Sequence, residues 1–201
     1  MAMAGAIEYY SKNAEQLALR YEQLSPALIH ACWANRMPAA KSLILDVGAG
    51  SGRDAAWFAG MGHDVVAVEP AVGLRMKAAQ LHPNLAIRWI EDTLPDLQQL
   101  VRLNMVFDVV LVSAVWMHIH PAERGRALKT LAGRLKAEGI LIFVLRHGPD
   151  REQRFMFPVS AEELRMQAAT LPMESIVELK SDDLYGRSGV MWETVVLRRS
   201  V

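Results

Sequence analysis

The sequence is short of cysteine, of net charge and of long apolar runs, and each shortage excludes a class of protein. Its one cysteine, Cys32, rules out an intramolecular disulfide and a cysteine-rich metal site, and a lone thiol is typical of a reducing compartment, so we expect a cytoplasmic protein. The 22 Lys and Arg balance the 22 Asp and Glu, which leaves no basic excess to hold nucleic acid. No stretch reaches the ~18 consecutive apolar residues of a membrane span, and the N-terminus lacks the basic start of an export signal. We therefore expect no nucleic-acid partner and no membrane partner.

The 201 residues also lack repeats and a linker, so we expect a single domain, 1–201, of the α/β class. Three runs, LILDV, DVVAV and ILIFVL, are apolar at nearly every position, as in parallel strands that helices cover on both faces. The seven predicted strands are 42–47, 64–68, 85–90, 107–115, 140–145, 176–179 and 193–198. The predicted helices are 54–61, 71–81, 94–103, 121–135 and one that opens with Ser160, after a helix-rich segment 14–37 that is broken at Pro26.

Three glycines, Gly48, Gly50 and Gly52, connect the first strand to the first helix of this pattern. Glycine suits such a turn because it adopts positive φ angles freely and lets a ligand approach the main chain. A dinucleotide-binding turn would place its last glycine where Arg53 stands, and a nucleotide-triphosphate loop would not place Asp54 beside a phosphate. The turn therefore predicts a ligand other than NAD or a nucleoside triphosphate.

Acidic side chains follow the next two predicted strands. Glu69 lies 19 positions after Gly50, where a carboxylate can accept hydrogen bonds from both hydroxyls of a ribose. Asp92 follows the third strand and can accept from an exocyclic amine such as that of adenine, although Glu91 takes this place if the strand register shifts by one residue. Because ligands of open α/β sheets bind at the carboxyl ends of the strands, these groups predict one binding site.

The segments LDVGAGSGRD, VVAVEP, IEDTLP, FDVVLVSAVWMHI and LKAEGILIFVLRH resemble, in order and spacing, the motifs of the class I S-adenosylmethionine-dependent methyltransferases. The resemblance covers residues 41–147. It implies a single doubly wound, Rossmann-like sheet of seven strands, mostly parallel with a reversed last strand, and helices on both faces. It also implies a helical cap at 1–40, a cofactor-binding core at 41–147, and a substrate-side loop, helix and terminal strand pair at 148–201.

The same resemblance implies S-adenosylmethionine as the cofactor and assigns residues to it. Asp46 would orient the turn, and Glu69 would hold the ribose diol. The groups that would complete the site are Gly48, Gly50 and Gly52 at the methionine and ribose portion, Asp92 with Thr93 or Leu94 at the adenine, and Ser113 or Ala114 at the methionine end. In many members of the family an N-terminal helical cap covers the cofactor, and Tyr9, Tyr10, Arg20 and Tyr21 resemble that cap.

Trp116, His118 and Arg146 lie where the family places groups that face the substrate, so they are the candidate catalytic residues. His118 could take a proton from a nucleophile, whereas Trp116 could equally be core packing and Arg146 could equally be solvated. The chain lacks the Pro-Pro motif of DNA amino-methylating enzymes, a Pro-Cys nucleophile and any acid between Ser113 and Pro121, so we expect a small organic acceptor and no metal. Methylation of RNA or protein, or a regulatory module that binds the cofactor without catalysis, remains an alternative. The sequence leaves the acceptor atom and the oligomeric state open.

Overall fold

A seven-stranded sheet forms the centre of the protein, whose computed structural model describes residues 2–200. The strands follow one another in the order β3-β2-β1-β4-β5-β7-β6. Strand β7 runs antiparallel to both of its neighbours, while β1 to β5 pair in parallel, which confirms the predicted sheet with its reversed last strand. The strands are β1 (Leu43–Val47), β2 (Asp64–Val68), β3 (Ile87–Ile90), β4 (Phe107–Ser113), β5 (Leu135–His147), β6 (Met173–Asp182) and β7 (Met191–Arg199).

Helices surround this sheet and precede its first strand. They are α1 (Ala2–Lys12), α2 (Ala14–Glu22), α3 (Pro26–Ile29), α4 (Arg53–Gly60), α5 (Val72–Leu81), α6 (Gln98–Arg102), α7 (Pro121–Ala132) and α8 (Ala161–Ala168). Two short 3₁₀ turns, Ala34–Arg36 and Trp116–His118, complete the inventory. Every helix within residues 2–200 falls short of the length and apolarity that a membrane crossing requires.

The core lies on both faces of the sheet, because consecutive strand residues point to opposite sides. In β4, Val110 and Val112 pack with α6, α7 and α8, whereas Val109 and Leu111 pack on the other face with Phe58 of α4. All four strand residues are fully buried, so each face excludes water. This double burial is the physical reason for the continuous apolar runs in the sequence.

Several predicted element bounds were wrong. Helix α7 ends at Ala132, not at 135, because the chain turns at Gly133, and β5 begins at Leu135 where 140 was predicted, since Leu135 already pairs with Phe107 of β4. The helix predicted over 94–103 begins only at Gln98, and Leu94 lines a cavity described below. Strand β6 is ten residues long where four were predicted. Its full length has no signal in the sequence, because β6 is an edge strand whose exposed side chains show no apolar alternation.

Helix α1 is not among the helices that the residue pattern predicts, although the resemblance implied a helical cap at 1–40, and tertiary contacts account for its place. Gly5 leaves room for the ring of Phe155, because a Cβ at position 5 would come within 2.8 Å of it. The Tyr9 hydroxyl donates to Glu152 at 3.0 Å, and the Gly73 N–H of α5 donates to the Ser11 hydroxyl at 3.2 Å. The first helix is thus held between α5 and the loop that follows β5.

Replacing Gly73 with alanine should destabilise the protein by ~1 to 3 kcal/mol, because the new Cβ would overlap the Ser11 carbonyl oxygen of α1. Helix propensity alone predicts the opposite sign, a gain of up to ~1 kcal/mol. Gly125 in α7 is the matched control, since a Cβ there meets nothing within 4 Å, and Gly125→Ala should stabilise. Urea unfolding measures both changes, and a stabilised Gly73→Ala protein would contradict the packing of α1 on α5.

Candidate active site at the carboxyl ends of the parallel strands

A cavity of about 390 Å³ opens at the carboxyl ends of the parallel strands, within the ~300–1,000 Å³ that is usual for small-molecule sites. Its floor is formed by the segments that follow β1, β2, β3 and β4. Side chains of α1 and α2, among them Tyr10 and Tyr21, line the opposite wall. Residues from the end of β5 and from the chain after it, including Arg146, Arg154 and Tyr185, close the third side.

The glycine turn needs its glycines for two different reasons. Gly48, Gly50 and Gly52 all have positive φ, at 70°, 58° and 84°. A Cβ on Gly48 would overlap the Val115 side chain, and one on Gly52 would lie 3.1 Å from the rings of His82 and Trp89. Gly48 and Gly50 line the cavity, whereas Gly52 packs away from it against α5 and β3. The structure therefore brings two of the three predicted glycines to the site.

Glu69 holds the glycine turn from the end of β2. Its two carboxylate oxygens accept hydrogen bonds from the Gly50 N–H at 2.8 Å and from the Ala71 N–H at 2.7 Å. The residue is only 5% exposed, yet it lines the cavity. Burial raises the pKa of Glu69 to about 7, although both N–H donors oppose this rise. Each carboxylate oxygen keeps a second lone pair for a donor inside the cavity.

Asp46 supplies a second acid to the same end of the cavity. It is 2% exposed, and its Oδ2 has no hydrogen-bond partner within residues 2–200. Burial and then the neighbouring Asp54 carboxylate raise the pKa of Asp46 well above its usual range. Asp54 itself is neutralised by Arg53, whose Nε and Nη2 donate to it at 2.8 and 2.9 Å. Asp46 is thus the acid in this group that lacks a partner for one of its oxygens.

Glu91 and Asp92, the two candidate acids after β3, point in different directions. Asp92 lines the cavity, and its oxygens accept from the Thr93 and Leu100 N–H groups, both at 2.9 Å. Glu91 does not line the cavity, and its side chain, 64% exposed, pairs with Arg75. Thr93 and Ser113 also line the cavity, so acids and hydroxyls from the ends of four strands, β1 to β4, meet there.

Residues 45–143 match the family model described as Methyltransferase domain. This part of the chain, about half of it, is a methyltransferase domain. No curated protein matches the sequence significantly. The family match confirms the resemblance that the motifs indicated, and it covers the strands and turns that form the floor of the cavity.

Solved structures similar to the methyltransferase share its fold over nearly the whole chain. One is 1,6-didemethyltoxoflavin-N1-methyltransferase of Burkholderia thailandensis, at 19% identity and a TM-score of 0.69, with 98% of this chain and 88% of that chain covered. Another is magnesium protoporphyrin IX methyltransferase of Synechocystis PCC 6803, at 15% identity and a TM-score of 0.67, with coverages of 95% and 84%. The N-methyltransferase NodS of Bradyrhizobium japonicum WM9 has 12% identity and a TM-score of 0.67, with coverages of 94% and 99%. At these identities the likeness establishes the fold.

His118 is held by a hydrogen bond on each side of its ring. Its Nδ1 lies 3.3 Å from the Phe155 carbonyl oxygen, which can only accept, so Nδ1 carries the proton. Nε2 is then the acceptor for the Tyr10 hydroxyl at 3.1 Å. Burial lowers the pKa of His118 to about 4, with the Arg154 charge acting in the same direction and the hydrogen bond to Phe155 against it. The methyltransferase therefore presents a neutral imidazole to the cavity at neutral pH.

The depressed pKa of His118 should make the stability of the methyltransferase depend on pH. In the unfolded chain the ring has the ordinary pKa of 6.5, so the stability due to its neutral form is present above pH 6.5 and is lost as the pH falls towards 4. Between pH 7 and pH 4 the wild type should lose about 3 kcal/mol more than His118→Asn. Urea unfolding at the two pH values measures this difference. Tyr10→Phe is the control, because it keeps the buried His118 ring and should keep most of the stability that the wild type loses at low pH. Equal losses of stability in the wild type and in His118→Asn would refute the depressed pKa of His118.

Of the other candidate catalytic residues, one reaches the cavity and one does not. Arg146 lines the cavity at the end of β5 and is 5% exposed. Trp116 lies in the core instead, 4.9 Å from the Phe143 ring in an edge-on arrangement, and is absent from the cavity lining. Of the two interpretations left open for Trp116, core packing is the one that its position favours, because the 3₁₀ turn Trp116–His118 places Trp116 in the core and His118 at the cavity.

Arg154 is not among the predicted site residues, yet it lines the cavity from an irregular loop. Tyr10 and Tyr21 were only suggested by the resemblance to the family's cap, and both line the cavity. Local sequence patterns carry no signal for such contacts, since Tyr10 and His118 are 108 positions apart. Within residues 2–200, no group of three or more His, Cys, Asp and Glu side chains is arranged to hold a metal ion.

Proposed function

We propose that this methyltransferase binds S-adenosylmethionine in the cavity and transfers its methyl group to a small organic acceptor. The observation that carries the cofactor assignment is the set of acids from three neighbouring strand ends around the cavity, one of which, Asp46, has a buried oxygen without a partner. An acceptor of small size is supported by the cavity volume of about 390 Å³ and by small-molecule methyltransferases among the similar folds.

The acids present fit this cofactor, because its ammonium group, its ribose hydroxyls and its adenine amino group are donors. Asp46 would accept from the ammonium group of the methionine portion, and Glu69 would accept from the ribose hydroxyls. Asp92 and Thr93 would hold the adenine, while Ser113 would face the methionine end. Gly48 and Gly50 would allow the ligand to approach the main chain, since they line the cavity without side chains.

When bound, the cofactor supplies a methyl group on a sulfonium sulfur: a lone pair of the acceptor forms the new bond to the methyl carbon, and the sulfur keeps the electron pair of the bond that breaks. The protein's part in such a displacement is orientation and the exclusion of water. The wall formed by α1 and α2 serves this exclusion, as Tyr21 lies 3.7 Å from the place of a Cβ on Gly50.

The Tyr10–His118 pair can remove a proton from the acceptor where its nucleophile carries one. The nucleophile would donate to the Tyr10 oxygen while the Tyr10 proton moves to His118 Nε2, which is already 3.1 Å away. A pKa of about 4 makes His118 a weak base, so we assign most of the catalysis to orientation. The Tyr10–His118 pair therefore removes the proton of the nucleophile as the new bond to the methyl group makes that proton more acidic.

We infer that three parts of the chain have different roles. Residues 41–147 bind the cofactor, residues 1–40 form a cap over it, and residues 148–201 contribute the acceptor side. Contacts between the cap and the last part support this division, since Arg20 pairs with Glu152 at 3.1 Å and the Tyr185 hydroxyl donates to the Arg20 carbonyl. The single cysteine suits the cytoplasm, where we expect the enzyme to act.

Incubation with methyl-labelled S-adenosylmethionine and a metabolite extract tests the proposal. We expect saturable cofactor binding by isothermal titration and label in the small molecules that pass an ultrafilter. Label in RNA or protein would replace the small acceptor by a macromolecule. Cofactor binding without label transfer would indicate a regulatory module, and absence of saturable binding would overturn the cofactor assignment.

A further inference from the structure

Two arginine side chains of the cavity wall are buried without full hydrogen bonding. Arg146 and Arg154 are each 5% exposed, and the Nε of each has no hydrogen-bond partner within residues 2–200. A guanidinium carries five N–H donors, and leaving them unpaired inside a protein costs free energy. Both side chains line the 390 Å³ cavity and also an adjoining smaller one of about 140 Å³, so a ligand in either space would lie against the two guanidinium side chains.

The contacts of Arg146 are long and involve neutral groups. Its Nη1 donates to the Gly148 carbonyl at 3.4 Å and lies 3.8 Å from the Met156 sulfur, and its Nη2 donates to the Pro149 carbonyl at 3.2 Å. No acid pairs with it in the part of the chain that the structure describes. These carbonyls orient the guanidinium but leave its charge uncompensated.

The ion pairs of Arg154 are long. Its Nε lies 3.5 Å from Glu152 and 3.9 Å from Asp150, both beyond a good hydrogen bond. Glu152 also accepts from Arg20 at 3.1 Å and from the Tyr9 hydroxyl at 3.0 Å, while the Asp150 Oδ1 has no hydrogen-bond partner within residues 2–200. Neither acid therefore gives the Nε of Arg154 a hydrogen bond.

Positively charged side chains lie near one another on this side of the cavity. Burial, followed by the charges of Arg154 and Arg187, lowers the pKa of Arg146. Arg187 is itself paired with Asp183 through Nη2 at 2.6 Å, so within residues 2–200 Arg146 is the arginine of this group without an ion pair, and Arg154 has only its two long ones. Asp46, Glu69 and Asp92 thus lie at the strand ends, and Arg146 and Arg154 lie on the third side of the cavity.

We propose that the methyl acceptor carries an oxyanion, a carboxylate or a phosphate, that binds between Arg146 and Arg154. The inference rests on the proposed function and names the class of its acceptor. An oxyanion would supply the acceptors that the two guanidinium groups lack, since planar guanidinium groups bind such anions with paired hydrogen bonds. The neighbouring Met3, Ile7, Leu184 and Trp192 line the same cavity, so the rest of the acceptor is apolar.

Binding of three ring compounds to the methyltransferase tests the proposal. Benzoate and phenyl phosphate are the anionic probes, and benzamide is the neutral counterpart of benzoate. We expect at least one anion to bind ~10- to 100-fold more tightly than benzamide in isothermal titration at constant ionic strength, and the tighter anion distinguishes carboxylate from phosphate. Equal affinities, or no saturable binding of either anion, would overturn the proposal.

Two variants and a control locate the binding. Arg146→Gln and Arg154→Gln should each remove most of the preference for the anion, whereas Arg102→Gln, on the exposed end of α6, should leave it unchanged. An anion preference that survives both cavity variants would also overturn the proposal.

Titration with S-adenosylhomocysteine, the expected product, separates the two proposals. Unchanged affinity for it shows that a variant is folded and that the cofactor end is intact. If the wild type binds this compound but shows no anion preference, the oxyanion site alone fails. If the anion preference is present without binding of the compound, the cofactor assignment fails.

Discussion

Replacing Glu69 with alanine should weaken the binding of S-adenosylmethionine by about 100-fold, or about 3 kcal/mol. The proposed hydrogen bonds from the ribose hydroxyls to the carboxylate are charge-assisted, and the variant loses them. The Gly50 and Ala71 N–H groups lose their acceptor as well, so the glycine turn is no longer held in place. Isothermal titration measures the change in affinity.

Glu91→Ala is the matched control for this prediction. Glu91 also follows a neighbouring strand, but its carboxylate pairs with Arg75 outside the cavity and is 64% exposed. We expect a change below ~1 kcal/mol, because exposed ion pairs contribute little. Similar losses in the two variants would refute the place of Glu69 in the site.

The pH dependence of binding is an independent check on Glu69. Its pKa of about 7 means that the carboxyl group is half protonated at neutral pH, and hydroxyl donors favour the ionised form. The affinity of the wild type should therefore rise by about tenfold between pH 6 and pH 8. Glu69→Gln removes this titration, so a rise of the same size in that variant would assign it to another group.

Replacing Gly48 with alanine should destabilise the protein by ~2 to 5 kcal/mol. The φ of Gly48 is 70°, which costs an alanine ~1 to 2 kcal/mol, and its Cβ would overlap the Val115 side chain, which costs ~1 to 3 kcal/mol more. Urea unfolding measures the loss. The turn cannot move away easily, because the Gly48 and Ala49 N–H groups both donate to the Val68 carbonyl, at 2.7 and 3.0 Å.

Two further variants separate the cost of the backbone conformation at Gly48 from the cost of the overlap with Val115. Gly62→Ala carries only the backbone cost, since its φ is 90° and a Cβ there meets nothing within 4 Å. In a Val115→Ala background, Gly48→Ala should cost about as much as Gly62→Ala does. A loss at Gly48 that Val115→Ala leaves undiminished would show that the overlap with Val115 is not its cause.

Local signals explain which parts of the fold could be predicted. Residues Leu43–Val47 and Asp64–Val68 are buried on both faces, and this burial appears directly as apolar runs in the sequence. The glycine turn is equally local, because positive φ angles at three positions demand glycine there. Helix α1 and the full length of β6 lack such signals, since one depends on distant contacts and the other is an exposed edge.

The sequence by itself determined the parallel sheet, the family and the acids at the strand ends, because each depends on residues that are neighbours along the chain. The tertiary structure alone decided that Asp92 and not Glu91 faces the cavity, that Trp116 belongs to the core, and that Tyr10 meets His118. It also decided that Arg146, a candidate from the sequence, lies beside Arg154 at the cavity and that the Nε of each lacks a hydrogen bond within residues 2–200. Burial and pairing between distant segments set their chemistry, and no local pattern encodes either.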